Sequence, residues 1–238
     1  MILMPQMTRP GNSVNSFNPL DITSIEAWWG DVDASSPSYW VDLAGNYLGG
    51  TTVPPTYVAN AVNGNPGLYF YDDRYTPPGP ESVFYGASTP WSVFFIINTT
   101  TPSPGFETVC GVGADGFLNF TFFSIRDNSK IEINRRGADV AETISVTSGT
   151  LSPGYHVCLC YSDGTDLYVR VDGVDEASGA DPASSMDSDR FSLGARWRTA
   201  IDGYLQGKTI IDLMLFSDVL STNDMSLLES WGMAKIGT

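Results

Sequence analysis

The chain has 238 residues, 42% of them hydrophobic and only 16% charged, and carries a formal net charge of −15 from 12 Lys+Arg against 27 Asp+Glu. That acidic balance repels phosphate backbones and anionic headgroups, which argues against nucleic-acid binding and adsorption to membranes. No stretch reaches the ~20 apolar residues of a membrane helix, and three cysteines with one histidine make neither a disulfide framework nor a zinc site.

Residues 1–19 read as an extended arm. Pro5, Pro10 and Pro19 stand among Gly, Asn and Ser with no sustained period, so the segment builds no core of its own. Its scattered apolar residues, Met1, Ile2, Leu3, Met4, Met7 and Phe17, suit ordering against a partner. The opening MILMPQMTRPGN lacks a long apolar run and is read as neither signal peptide nor anchor, the mark of a protein folded in a cytosol. Residues 20–238 read as a single domain, since β-sandwiches reach that size.

Within it, residues 25–29 and 39–43 are expected as strands around a 31–37 loop, with Trp28, Trp29, Tyr39 and Trp40 crowded together. Residues 51–67 and 72–80 carry Pro and Gly and are expected as loops, with a short strand at 68–70 between them. Trp91 to Asn98 is a continuous apolar run, the pattern of a strand buried on both faces. Shorter strands follow at 106–111, 117–125, 130–134 and 143–146. The hairpin at 155–171 is the clearest signal. Tyr155, Val157, Leu159 and Tyr161 alternate with His156, Cys158 and Cys160, and Ser162-Asp163-Gly164-Thr165-Asp166 supplies the turn. The cysteines are expected as small buried hydrophobes. Residues 173–189 read as a small-residue loop, 191–194 as a strand and 204–216 as a return strand bulged at Gly207. A helix over 220–237 starts at an N-cap Ser221 with Asp224 three on, presents Met225, Leu228 and Trp231 on one face with Leu227 beside them, and stops at Gly237. The fold class is therefore all-β, a sandwich with an N-terminal arm and a short C-terminal helix.

The central Tyr155-His156 pair, its D-G turn, Leu167-Tyr168-Val169 and the closing Val171-Asp172-Gly173 resemble the central hairpin of concanavalin A-like (laminin G-like) jelly-roll domains, with Tyr155 where that family usually has Trp. Trp29-Gly30-Asp31-Val32-Asp33-Ala34-Ser35, Trp40-Val41-Asp42-Leu43-Ala44-Gly45-Asn46 and Asn63-Gly64-Asn65-Pro66-Gly67-Leu68-Tyr69-Phe70 are similar to its N-terminal segments. The closing Leu220-Ser221, Glu229 and Ala234-Lys235-Ile236-Gly237 resemble the last helix of such domains in bacteriophage structural proteins, with Trp231 near a usual Tyr. The resemblance implies a virion protein made in the host cytoplasm and displayed on the particle surface, as capsid decoration or tail fibre. Its arm would contact other virion proteins, a homo-oligomer is compatible, and an outward face would touch host polysaccharide. A free adhesin is the alternative, and a glycan-degrading enzyme the third reading.

No catalytic constellation is expected. The E-x-D-x-x-E spacing of glycosidases that share the fold is missing, and His156 has no Ser or Cys nucleophile beside it. No cofactor is expected; calcium is the one candidate, held by the loop pairs Asp31 with Asp33, Asp163 with Asp166, or Asp187 with Asp189. Sugar binding needs exposed rings with polar neighbours. Tyr57, Tyr75 and Trp197 are the candidates among loop aromatics that also include Tyr47, Tyr71 and Tyr85, and Trp197 between Arg196 and Arg198 is the first choice.

Overall fold

A computed structural model describes residues 17–30, 40, 42–46, 53–76, 80–84, 88–101, 105–114, 119–127, 129–137, 143–181, 189–197 and 200–238. Among these, the strands run β1 Ile25–Trp29, β2 Thr56–Val62, β3 Asn65–Tyr71, β4 Trp91–Asn98, β5 Glu107–Gly113, β6 Phe120–Arg126, β7 Lys130–Arg136, β8 Ile144–Thr147, β9 Tyr155–Ser162, β10 Asp166–Val171, β11 Val174–Ala180, β12 Arg190–Leu193, β13 Arg196–Trp197, β14 Ile201–Asp202 and β15 Gln206–Phe216, followed by one helix, α1 Thr222–Ile236.

The strands form a sandwich. The larger sheet has the order β11-β10-β9-β4-β15-β3-β2, and β1 also pairs with β15; the smaller has the order β12-β5-β6-β7-β8. All the pairings are antiparallel. The long β15 organises the larger sheet. One edge pairs with β4 over Ile210–Phe216, while the other pairs with β3 near Gln206–Ile210 and then with β1 near Leu213–Phe216. The bulge expected at Gly207 is present: the register slips between Gln206 and Lys208, and Gly207 sits at φ 67°, a conformation glycine adopts without a Cβ penalty.

Both faces of the larger sheet are covered, which is why β4 reads as an unbroken apolar run. Trp91, Val93, Phe95 and Ile97 enter the core between the sheets, and Phe94 and Ile96 enter a second cluster on the outer face. In β9 the expected alternation holds, with Cys158 and Cys160 inward and Val157 and Leu159 outward. All three cysteines are free and buried, and burial holds the Cys160 thiol well above its usual range.

Helix α1 covers the outer face. Ser221 is the N-cap, its Oγ accepting from Asp224 N at 3.1 Å. Leu220 and Met225 flank the cap within the outer cluster, and Leu228 is fully buried there, worth about 2 kcal/mol for such a side chain. Leu227 points away and is exposed. Gly232 lets the helix lie close, since a Cβ there would fall 2.9 Å from Phe94 Cζ and 3.0 Å from Val157 Cγ2. The helix ends at left-handed Gly237, and Asn65 Nδ2 donates to Lys235 O at 2.9 Å. At the same end the fully buried Asp212 of β15 accepts from Trp28 Nε1 at 2.9 Å and from Lys235 Nζ at 2.8 Å.

Several expectations change. Residues 56–62, read as loop, form β2; residues 174–180, also read as loop, form the edge strand β11. The strand expected at 39–43 is a single bridge, Trp29 to Asp42, among its described residues. There Asp42 organises the W-x-D-x-A-G-N segment, its carboxylate accepting from the backbone N–H of Trp28, Ala44 and Asn46 at 2.7, 2.9 and 2.8 Å. Of the arm, Met1, Ile2, Leu3, Met4 and Met7 lie outside the described residues. Phe17, assigned to partner contact, packs instead on the outer cluster of its own sheet, and Pro19 opens a short 3-10 turn, Pro19–Asp21.

Candidate functional site

The sugar-stacking rings expected from sequence do not converge. Tyr75 is fully buried, bridges Leu193 through its backbone and turns its hydroxyl to the backbone N–H of Trp40. A ring with no open face stacks on nothing from solvent, so Tyr75 is withdrawn from the binding set. Tyr57 lies half-buried on β2 at the edge of the larger sheet, packed against the inner core. Trp197 is half-buried in the small β13–β14 hairpin, opposite Ile201, with the Arg190 guanidinium 5.5 Å from its ring centre.

The calcium pairs also separate. Asp31, Asp33 and Asp187 lie outside the described residues. Asp163 spends its carboxylate on its own turn: Oδ1 accepts from Thr165 N and Asp166 N, both at 2.8 Å, and Oδ2 from the Tyr168 hydroxyl at 3.1 Å. Those backbone donors hold Asp163 below the usual carboxylate range. Among the described residues no three His, Cys, Asp or Glu side chains gather as metal ligands.

Among the described residues, a concave feature lies instead between the β9–β10–β11 end of the larger sheet and helix α1. It is a groove of about 960 Å³, continuing into a hollow of about 400 Å³ across Tyr161, Tyr168 and Asp175. The hairpin builds it. Antiparallel register sets Tyr161 directly opposite Tyr168, and cross-strand neighbours on one face are within ring reach. Their rings stack at 4.6 Å between centroids and 12° between planes. Burial raises the Tyr161 phenol, and the bond to Asp163 raises that of Tyr168, so both remain neutral donors at physiological pH.

Two residues beyond Tyr168, Arg170 stands on the same face. Its Nε donates to Glu229 Oε1 at 2.8 Å, and its Nη2 donates to Glu229 Oε2 at 3.2 Å and Gly173 O at 2.9 Å; its Nη1 also donates to Asp175. Glu229 comes from the helix and Asp175 from β11, so one guanidinium ties three elements along the groove. The paired carboxylates, Glu229 foremost, push Arg170 further above its already high range.

The groove's far wall ends at Asp172, in the left-handed turn after β10 with φ 51°. Its Oδ2 lies 2.7 Å from His156 Nδ1, and its Oδ1 accepts from Val157 N at 2.9 Å. His156 Nε2 meets Ser152 O at 2.8 Å. Both partners of the imidazole are acceptors, which suits the doubly protonated ring. The bond to Asp172 accordingly raises His156 despite its burial. Burial pulls Asp172 upward, but the bonds from His156 and Val157 outweigh it and hold Asp172 below its usual value.

These shifts define a pH window. A raised His contributes stability that is full below its unfolded value of about 6.5 and lost as pH rises through its folded value; a depressed Asp contributes above about 3.9 and loses that contribution as pH falls through its folded value. The stability difference between the parent and His156→Gln is therefore largest between about pH 4 and 6.5 and shrinks on both sides. Urea unfolding midpoints of the two proteins across pH 3 to 9 check this. A difference that grows above pH 7 would mean that His156 works as a neutral ring.

No family model matches the chain, and no curated protein matches it. Solved structures do share its fold. The receptor binding domain of botulinum neurotoxin C/D mosaic serotype aligns at TM-score 0.66 and 15% identity, covering 87% of this chain and 51% of that one. The binding domain of botulinum neurotoxin DC, in complex with rat synaptotagmin II, aligns at 0.64 and 11%, covering 90% and 52%. Trypanosoma rangeli sialidase in complex with sialic acid aligns at 0.63 and 14%, covering 90% and 34%. At such identities the likeness shows the fold alone, an all-β antiparallel sandwich. The chain spans about half of the toxin domains and about a third of the sialidase.

Proposed function

We propose that this chain is a non-enzymatic, lectin-type binding module that holds carbohydrate in the groove between the Tyr161–Tyr168 stack and helix α1. The stacked pair carries the reading. Tyrosine faces present the apolar surface that a pyranose ring lies on, while their hydroxyls and nearby carboxylates bond sugar hydroxyls. The groove and its side hollow, about 960 and 400 Å³, have the volume for more than one sugar unit. Of its central carboxylates, Glu229 has both oxygens engaged by Arg170 and Asp175 has one, so the two do not form the free acid and nucleophile pair that glycoside cleavage needs. The structural neighbours, receptor-binding domains and a sialidase holding sialic acid, support a role in recognition.

An immobilised glycan array tests it. At least one oligosaccharide is retained by the parent, and Tyr168→Ala weakens that binding about tenfold with little change in thermal midpoint, since the ring lies on an open face. Retention of no glycan, or binding indifferent to both Tyr161→Ala and Tyr168→Ala, removes the reading.

The second element of the proposal is placement on the surface of a bacteriophage particle, with the N-terminal arm toward neighbouring virion proteins. It is supported by the likeness of the closing segment, now seen as helix α1, to that of phage structural proteins. Immunogold labelling of particles from the source culture decides it: label over heads means decoration, label at tail tips means host recognition, and unlabelled particles leave a free adhesin.

A further inference from the structure

Four carboxylates line the large groove, those of Asp163, Asp172, Asp175 and Glu229, and Glu176 lines the adjoining hollow. Asp172 is met by His156 from behind the groove; among the described lining residues the cation set against the others is Arg170, and it is already committed. Four of the five N–H donors of a guanidinium are given to Glu229 twice, to Asp175 and to Gly173 O. A carboxylated sugar needs a free fork of donors in its site, and Arg170 offers none. Asp175 has the reverse character. Its side chain is 72% exposed, and Oδ1 serves Arg170 while Oδ2 takes part in no hydrogen bond among the described residues. Beside the tyrosine stack, that leaves an open carboxylate oxygen with no spare positive charge.

Building on the carbohydrate reading, we propose that the groove selects by charge: its preferred ligand is an oligosaccharide bearing free amines, seated on Tyr161 and Tyr168 with an ammonium at Asp175, and sugars carrying carboxylates are rejected. An ammonium beside Asp175 meets an acceptor that needs no rearrangement. A carboxylate in the same place would be repelled by Asp175, or would have to displace Glu229 from Arg170 and leave a buried charge without its partner.

Titration calorimetry with three oligosaccharides of equal length tests the selection: a β-linked glucosamine oligomer, its fully N-acetylated counterpart, and an oligogalacturonate. The amine-bearing oligomer is expected to bind about fivefold tighter than the acetylated one, the scale of one well-placed exposed ion pair. That gap should narrow as salt rises, and the uronate should show no binding. Asp175→Asn should close the gap, whereas Asp21→Asn, which removes the same charge outside the groove, should leave it. Uronate binding as tight as that of the amine overturns the charge selection and leaves the carbohydrate reading standing, as does a gap that Asp21→Asn closes equally well. Failure of all three oligomers to bind, when the array retains another glycan, overturns the selection alone; failure on the array as well overturns both.

Discussion

Replacing Asp212 by Ala is expected to lower the unfolding free energy by about 3–5 kcal/mol, the usual cost of stranding one partner of a buried ion pair. Asp212 is fully buried, and its two oxygens hold Trp28 Nε1 and Lys235 Nζ. Loss of the carboxylate leaves an indole N–H and an ammonium without this acceptor beneath helix α1. The helix's last turn depends on it, because Lys235 also lies 4.2 Å over the Trp231 ring and Trp231 packs edge-on to Trp28 at 5.7 Å. For a domain of this size the thermal midpoint falls by about 10 °C. Differential scanning calorimetry gives the value, and hydrogen exchange locates the damage in α1 and β1. A midpoint within about 2 °C of the parent would show that the helix is held by apolar contacts alone.

The second large effect concerns Arg135 and Asp181, which bridge at 3.0 Å with both side chains about 1% exposed. Arg135 Nη1 also donates to Thr121 Oγ1, and Asp181 Oδ2 accepts from the Ser162 hydroxyl. Burial lowers Arg135 from its usual range, and the nearby Asp181 only partly opposes that. Asp181→Ala is therefore expected to cost about 3–5 kcal/mol, because it leaves a guanidinium deep between the sheets. The double variant Arg135→Met with Asp181→Leu is expected to cost less than Asp181→Ala alone, since similar-sized apolar side chains need no partner there. Urea titrations of the three proteins measure the ordering. A double variant less stable than the single one would mean that the pair specifies the sandwich rather than merely satisfying itself.

Much of this architecture was legible in the residues. The alternation in β9 separates two clusters because each face has its own cover, and Ser221, Asp224 and Gly237 mark the helix ends through backbone needs that do not depend on tertiary context. The missed strands share a cause. β11, Val-Asp-Glu-Ala-Ser-Gly-Ala, is an exposed edge strand that buries almost nothing, so no hydrophobic period marks it. β2 is framed by Pro54, Pro55 and Gly64, turn residues that belong to its ends rather than its body. The site was half legible. Once the Asp163–Asp166 turn is granted, antiparallel register alone puts Tyr161 across from Tyr168. Glu229, however, reaches Arg170 across 59 positions of sequence, a partnership that only packing creates. Tyr75 shows the opposite failure: its loop composition suggested solvent, and its ring is fully buried, edge-on to Trp40.

The central position of β15 has a consequence for biosynthesis. Chains leave the ribosome N-terminus first, so β1, β3 and β4 all emerge before the strand that joins them. During that interval β3 and β4 face an empty slot, and the surfaces of Phe94, Ile96, Val157 and Leu159 await a cover that is translated later still. Nascent polypeptide in this state exposes unpaired edges and apolar area together, the combination that invites misassembly. Completion of the larger sheet therefore waits on β15, and its outer face stays uncovered until α1 follows.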